Sequence, residues 1–265
     1  MKLKIPFRKK RALVSVVRLS GVISSGSRGQ LNDQSLAPVF EKAFSKGKPD
    51  AVALVVNSPG GSPVQSSLIG ARIRSLASEK KTPVYAFVED VAASGGYWLA
   101  AAADEIYVDH SSIVGSIGVI SAGFGAHEFI SRYGIERRVY TAGKSKSTLD
   151  PFKPEKPEDI KRLKGLLGDI HQTFADYVSE RRGARISENN ELFTGEFWVG
   201  KKAIELGLAD HIGHLEQVMK ERFGDKVRYK TYGPKKGWGL RLGASLFDSA
   251  SAQIEEKVAY AKFGL

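Results

Sequence analysis

Two short runs near the middle of the chain carry residue types able to do acyl chemistry. Val91-Ala92-Ala93-Ser94-Gly95-Gly96-Tyr97 sets a serine among small residues, with no bulky neighbour to shield its hydroxyl. Well downstream, Gly143-Lys144-Ser145-Lys146 offers an amine that could take the serine's proton. An ordinary serine hydroxyl is a weak nucleophile and needs an adjacent base. A lysine fills that role only where burial lowers its pKa enough to leave it neutral near working pH. The pairing reads as a hydrolase of peptides, and chemistry alone does not choose between Lys144 and Lys146 as its base.

Acyl transfer also needs donors for the developing oxyanion. Asn57-Ser58-Pro59-Gly60-Gly61 follows a buried apolar run and precedes a helix start. The amides of Gly60 and Gly61 are therefore the candidates, Gly61 the better placed. Ser94 stands where an extended run gives way to a helix, whose N-terminus would set free N–H groups beside its oxygen. Gly95 and Gly96 leave room for a substrate backbone and are the candidate substrate-binding positions. Each run also has a plainer explanation. Ser-Gly-Gly can be a helix cap and turn, Pro-Gly-Gly a tight turn, and a loop lysine a solvated charge.

The elements that must position these residues follow from the apolar pattern. Apolar runs alternate with amphipathic stretches, as expected of a layered α/β domain. Strands are expected at 12–19, 51–56 and 84–88, with short extended pieces at 106–108, 113–114, 117–120 and 136–140. Helices are expected at 36–44, 63–78, 94–103, 124–133, 157–182, 199–206 and 215–223. Ser62-Pro63-Val64-Gln65 announces one of them: serine caps, proline suits the first turn, and Gln65 can close a capping box.

Composition bounds the rest. The 265 residues suffice for one sizeable α/β domain. No cysteine is present, which excludes disulfides, thiolate nucleophiles and cysteine-ligated zinc. The formal charge is +11, and Lys2, Lys4, Arg8, Lys9, Lys10 and Arg11 precede any acidic residue. Such a leader, residues 1–11, fits either a solvated tail or an arm drawn to anionic lipid. Residues 12–232 form the expected catalytic domain and 233–265 a helical extension, with 244–263 drawable as an amphipathic helix that docks on the body, a neighbouring subunit or a membrane. The uncharged stretch 91–103 is well short of the roughly 20 apolar residues of a spanning helix, and no secretory signal is legible. A cytoplasmic protein is expected, with peripheral contact at the inner membrane face left open. His110, His127 and His171 lack a serine–acid pattern, His211 and His214 match no strong metal motif, and no phosphate-binding glycine loop occurs. Neither a metal nor a cofactor is expected, and nucleic-acid binding would rest on charge alone.

Taken together, N-S-P-G-G, A-S-G-G-Y, V-G-S-I-G-V and G-x-x-K-S-x-x-x-P-F resemble the bacterial signal peptide peptidase A family, the S49-type serine–lysine peptidases. The likeness runs from about Val14 to about Gly213 and takes in Phe193-Thr194-Gly195-Glu196-Phe197-Trp198 and the stretch 203–210. It implies Ser94 as nucleophile, Lys146 as general base, Ser116 as the hydroxyl that orients the lysine, and Gly60 and Gly61 as the oxyanion loop. It also implies a Clp-protease/crotonase-like stack of ββα units, ring-like homo-oligomers with sites often shared between subunits, and peptide substrates such as signal peptide remnants. Bacterial members commonly carry an N-terminal membrane span, not legible here, and an aromatic residue before the lysine, where Ser145 stands. The reading of another class is a non-catalytic oligomeric peptide-binding scaffold on the same fold. Acyl-CoA chemistry, which the crotonase superfold also hosts, lacks a comparable pair of carboxylates near the glycine loops.

Overall fold

The computed structural model describes residues 11–25, 31–143, 146–188, 190–233 and 257–265. The leader 1–10, Lys144 and most of the expected 244–263 helix lie outside the described residues.

The second strand shows why this sequence builds a sheet covered on both sides. In β2 (Ala51–Ser58) Val52, Leu54 and Val56 enter one apolar cluster while Ala51, Ala53 and Val55 enter another. Period-two alternation of small and branched apolar residues sends consecutive side chains to opposite faces. Each fully buried valine or leucine contributes about 1.5–3 kcal/mol. Parallel neighbours flank it: β1 (Leu13–Ser20) on one side and β3 (Val84–Ala93) on the other. The full sheet has eight strands. Its order is β6-β5-β3-β2-β1-β8, with β4 beside β3 and β7 beside β4, and among the described residues only the β5–β6 pair is antiparallel. The outer members are β4 (Glu105–Val108), β5 (Ile113–Gly115), β6 (Phe197–Val199), β7 (His211–Ile212) and β8 (Arg228–Tyr232).

Strand β3 changes partner halfway. Tyr85 to Val88 pair with β4, whereas Val91 to Ala93 pair with β5, and the β2–β3 register shifts between Val56 and Ser58. Ser112 Oγ fixes the bend by donating toward Val88 O (3.1 Å) and Glu89 O (2.5 Å). The outcome is a layered α/β fold on one sheet, with β3 carried to its end at Ala93.

Helices α1 (Asp33–Ser45), α2 (Pro63–Lys80) and α3 (Gly95–Ala101) cover the first face, joined by the C-terminal half of α5 (Pro157–Arg182). Ser62 caps α2 through Gln65 N, but Gln65 Oε1 accepts from Asp33 N at 2.9 Å instead of closing the expected capping box. It ties the starts of α1 and α2, which Arg72 and Asp33 also join by a two-bond ion pair. The second face is covered by α7 (Leu215–Phe223), through Val218 and Met219. Short α4 (His127–Arg132) and α6 (Gly200–Glu205) complete the set, with 3-10 turns at Gly183–Arg185 and Asn190–Phe193.

The expected strands at 117–120 and 136–140 do not form, and the helix expected at 124–133 shrinks to α4. Ile117 is buried in the body, but from Val119 on these stretches lie in an arm, residues 119–143 and 146–156, in which α4 buries no residue. The arm's bonds tie it to itself: Ala126 N donates to Pro151 O, and Arg137 meets Asp150 and covers the Phe152 ring. An apolar pattern with no partner strand within one chain has nothing to pair with.

Candidate active site

Ser94 sits at the junction of β3 and α3 with φ 52° and ψ −124°, a left-handed conformation costly for any residue with a side chain. Three backbone bonds and pairings fix it there. Ser94 N donates to Gly115 O at 2.8 Å, Trp98 N donates to Ser94 O at 3.1 Å, and Ala93 pairs with Gly115. The Ser94 side chain makes no capping bond to α3, so its Oγ is not spent as a helix cap. The far end of α3 is held as firmly. Arg181 donates to Ala101 O and Ala103 O, and Arg74 donates to Ala102 O, each about the C-terminal carbonyls. Cations at a helix C-terminus are stabilising. Burial first, and the charge of Arg74 next, lower the pKa of Arg181 below its ordinary value.

Gly60 (φ 99°) and Gly61 (φ 142°) bring the loop after β2 against the serine. A Cβ on Gly60 would stand 2.8 Å from Ala93 O, Gly95 N and Ser94 Cβ, so only glycine allows this approach. Gly60 N donates to Ser58 Oγ at 3.3 Å. Gly61 N and Gly95 N find no acceptor among the described residues, and Gly61 N lies 3.4 Å from where a Gly95 Cβ would be. Two unspent N–H groups thus flank Ser94. The room at Gly95 and Gly96 goes to the protein's own atoms: a Cβ would meet Ser66 Oγ at 2.4 Å and Ser58 O at 2.3 Å. That differs from the expectation that these two glycines admit a substrate backbone.

Ser116 also has φ 52°, and its N donates to Glu196 O at 2.6 Å. It follows the residue that anchors Ser94, so the structure brings Ser94, Gly60, Gly61, Gly95, Gly96 and Ser116 into one place. Lys146 is different. It is exposed on a turn of the arm, and among the described residues no hydrogen bond joins it to Ser94. The arm exposes large apolar side chains, with Phe124 94% and Tyr140 91% accessible.

Beside Ser94 lies a cavity of about 120 Å³ that sequence reasoning did not place. Trp98, Val119, Ile120, Ile170 and Phe174 supply its apolar walls. Trp98 stacks on Phe174 and Tyr177, ring centroids 4.8 Å apart in both pairs, which docks α5 on α3. Phe174 and Ile170 stood in the apolar stripe of α5; what they face only the tertiary structure tells. His171 Nε2 pairs with Ile117 O, while His211 and His214 lie 3.7 Å from Glu105 and 3.5 Å from Asp109.

The family model described as "Peptidase family S49" matches residues 77–226, which include Ser94, Ser116 and Lys146. The chain belongs to peptidase family S49. Among its relatives, a Brucella abortus protein named Na(+)/H(+) antiporter NhaA is 49% identical across 98% of this chain and 38% of its own length. A putative protease of Methanocaldococcus jannaschii is 35% identical across 64% of this chain and 54% of that one. The chloroplastic serine protease SPPA of Arabidopsis thaliana is 31% identical across 79% of this chain and 31% of that one. This S49 chain therefore spans between about a third and about half of these relatives. Of solved structures, a mutant of the 1510-N membrane-bound stomatin-specific protease is similar at TM-score 0.48 and 15% identity, over 83% of this chain and 97% of that one. Among the described residues of the S49 chain, no helix is long and apolar enough to cross a membrane.

Proposed function

We propose that this chain is a serine peptidase in which Ser94 attacks the scissile carbonyl and Lys146 is the general base. The observation that carries this reading is Ser94 itself: a strained, uncapped serine flanked by two unspent amides, those of Gly61 and Gly95. In the proposed reaction Ser94 Oγ bonds to the carbonyl carbon and its proton passes to Lys146 Nζ. The oxyanion accepts from Gly61 N–H and Gly95 N–H, with Gly60 holding the loop against Ser94. Collapse passes the proton to the leaving amine and leaves an acyl-enzyme, which water then hydrolyses by the same route. Ser116 holds the amine in place. The apolar cavity beside Ser94 receives the side chain that precedes the scissile bond. Peptides with small or medium apolar residues, including membrane-derived remnants, are the substrate class.

The exposed arm supports assembly as part of the function. Among the described residues Lys146 stands on an exposed turn with no bond to Ser94 of its own chain. In the proposed homo-oligomer the apolar residues of the arm pack on a second copy, and Lys146 completes that copy's site.

A fluorophosphonate probe tests the reading. Wild-type protein is expected to take one adduct, on Ser94, with loss of peptide hydrolysis, and Ser94→Ala to take none. Protein that takes no adduct while remaining folded and oligomeric would favour the non-catalytic scaffold.

A further inference from the structure

Among the described residues, the second face of the sheet is only half covered. The nine residues of α7 run about 13 Å, whereas the eight-residue strands β1 and β2 run about 26 Å. Beyond the end of α7 the same apolar face continues as Val16, Val55 and Phe87, and there it floors a cleft of about 800 Å³. This cleft and the cavity at Ser94 lie on opposite sides of the sheet, since the cavity is walled by Trp98 and Phe174 of the first-face cluster.

The rim of the cleft is acidic in a chain whose formal charge is +11. Four carboxylates line it: Glu89, Asp90, Asp109 and Glu216. The one guanidinium there, that of Arg18, is already taken by Glu89 through bonds of 2.6 and 2.7 Å. Asp109 is held ionised, its pKa lowered chiefly by the Ser111 N–H, with His214 3.5 Å away. Glu216 has Lys220 at 3.7 Å, so among the described residues Asp90 and Asp109 are the rim carboxylates with no lysine or arginine partner. An apolar floor beneath this net negative rim selects a ligand that is apolar and cationic together.

We infer that this cleft is a second peptide-binding site, for a peptide that joins apolar side chains to lysine or arginine. The site borders the catalytic loop through one side chain. Asn57 Nδ2 donates to Asp90 at 2.7 Å, and Asn57 O accepts from Gly21 N and from Tyr260 Oη just before the chain enters Gly60 and Gly61. That such a peptide is also a substrate rests on the proposed peptidase reading; its binding in the cleft does not.

Fluorescence anisotropy on full-length Ser94→Ala protein tests this, with a dye-labelled peptide of two lysines followed by alternating leucine and alanine. Saturable binding is expected, with none for the same peptide carrying glutamates. Asp109→Asn and the exposed Glu216→Gln should each weaken binding about three-fold. Thr231→Trp, at an exposed position on the edge strand, fills the cleft and should weaken it about ten-fold or more. Binding that is absent up to about 1 mM, or equal in all variants, overturns the inference. So does loss of binding when Ser94 of the wild type is blocked by the fluorophosphonate, which would put the peptide at the catalytic serine. Wild-type protein that binds the probe in the cleft yet cleaves no peptide would sink the peptidase reading alone.

Discussion

The backbone N–H of Ser94 donates to the carbonyl of Gly115 at 2.8 Å, so Ser94 and the strand that delivers Ser116 are one unit. Gly60 presses on that unit from the other side. Alanine at position 60 would combine a φ of 99° with contacts of 2.8 Å to backbone atoms of Ala93 and Gly95. Gly60→Ala is expected to destabilise the fold by about 1–3 kcal/mol. It should also slow fluorophosphonate labelling of Ser94 by more than its unfolded fraction explains. Urea melts and labelling rates on the same samples measure both, and an unchanged rate would contradict the packing argument.

Exposure of Lys146 makes a prediction about mixing. Ser94→Ala and Lys146→Ala are each expected to be inactive. If the lysine serves a neighbouring copy, unfolding and refolding the two together in equal amounts restores about a quarter of wild-type activity. Restoration to zero, with either variant still oligomeric, would assign the lysine to its own chain.

The proposed base must lose a proton before it can accept one. Peptide hydrolysis is therefore expected to climb as the solution is made more alkaline. A kcat/KM profile that stays flat down to about pH 5 would rule out a lysine in this role.

Asp210 gives a pH effect on stability rather than rate. Burial raises its pKa, but hydrogen bonds from Arg182, the charge of Arg182, the Ile106 N–H and the charge of Arg185 outweigh that and leave it below the ordinary 3.8. A depressed carboxyl stabilises the fold above its unfolded pKa and loses that contribution as pH falls through the folded value. Asp210 should therefore add steepness to acid unfolding below about pH 4. Arg182 is 2% exposed and has Gly207 O as its other partner. Asp210→Asn leaves that guanidinium without its charge partner and is expected to cost about 3–5 kcal/mol at neutral pH, flattening the acid limb. The half-exposed Asp33–Arg72 pair should cost no more than about 1 kcal/mol when broken the same way.

Ile170 borders the cavity at Ser94 from α5 and is itself partly exposed. Ile170→Trp should narrow the cavity and shift the preference from leucine toward alanine before the scissile bond by about ten-fold in kcat/KM. Equal effects on both substrates would place the preceding side chain elsewhere.

Much of this was readable because local and tertiary signals agree. Ala51 to Val56 is apolar at every position, which only a strand with two covered faces explains, and Leu215–Phe223 carries both its apolar stripe and its ends. Ser94 stood out as a candidate because small residues surround it, yet its left-handed backbone was not legible, since nothing in Ala-Ser-Gly specifies φ. Strand β8 was missed for the opposite reason: Arg228, Lys230 and Thr231 are polar, as suits an edge strand that buries little. Val119, Ile120 and Val139 misled in turn, because their alternation predicts strands whose partners a single chain does not supply. Lys146 is exposed in the same arm, and a motif names a candidate amine without saying what it packs against.

The bare aromatic rings of Phe124 and Tyr140 carry a physiological corollary under the proposed mechanism. A newly synthesised copy, alone and dilute, would be inert toward its surroundings, because half of its chemistry has yet to arrive. Proteolytic power would then grow faster than abundance, and a modest fall in expression would silence it without any inhibitor.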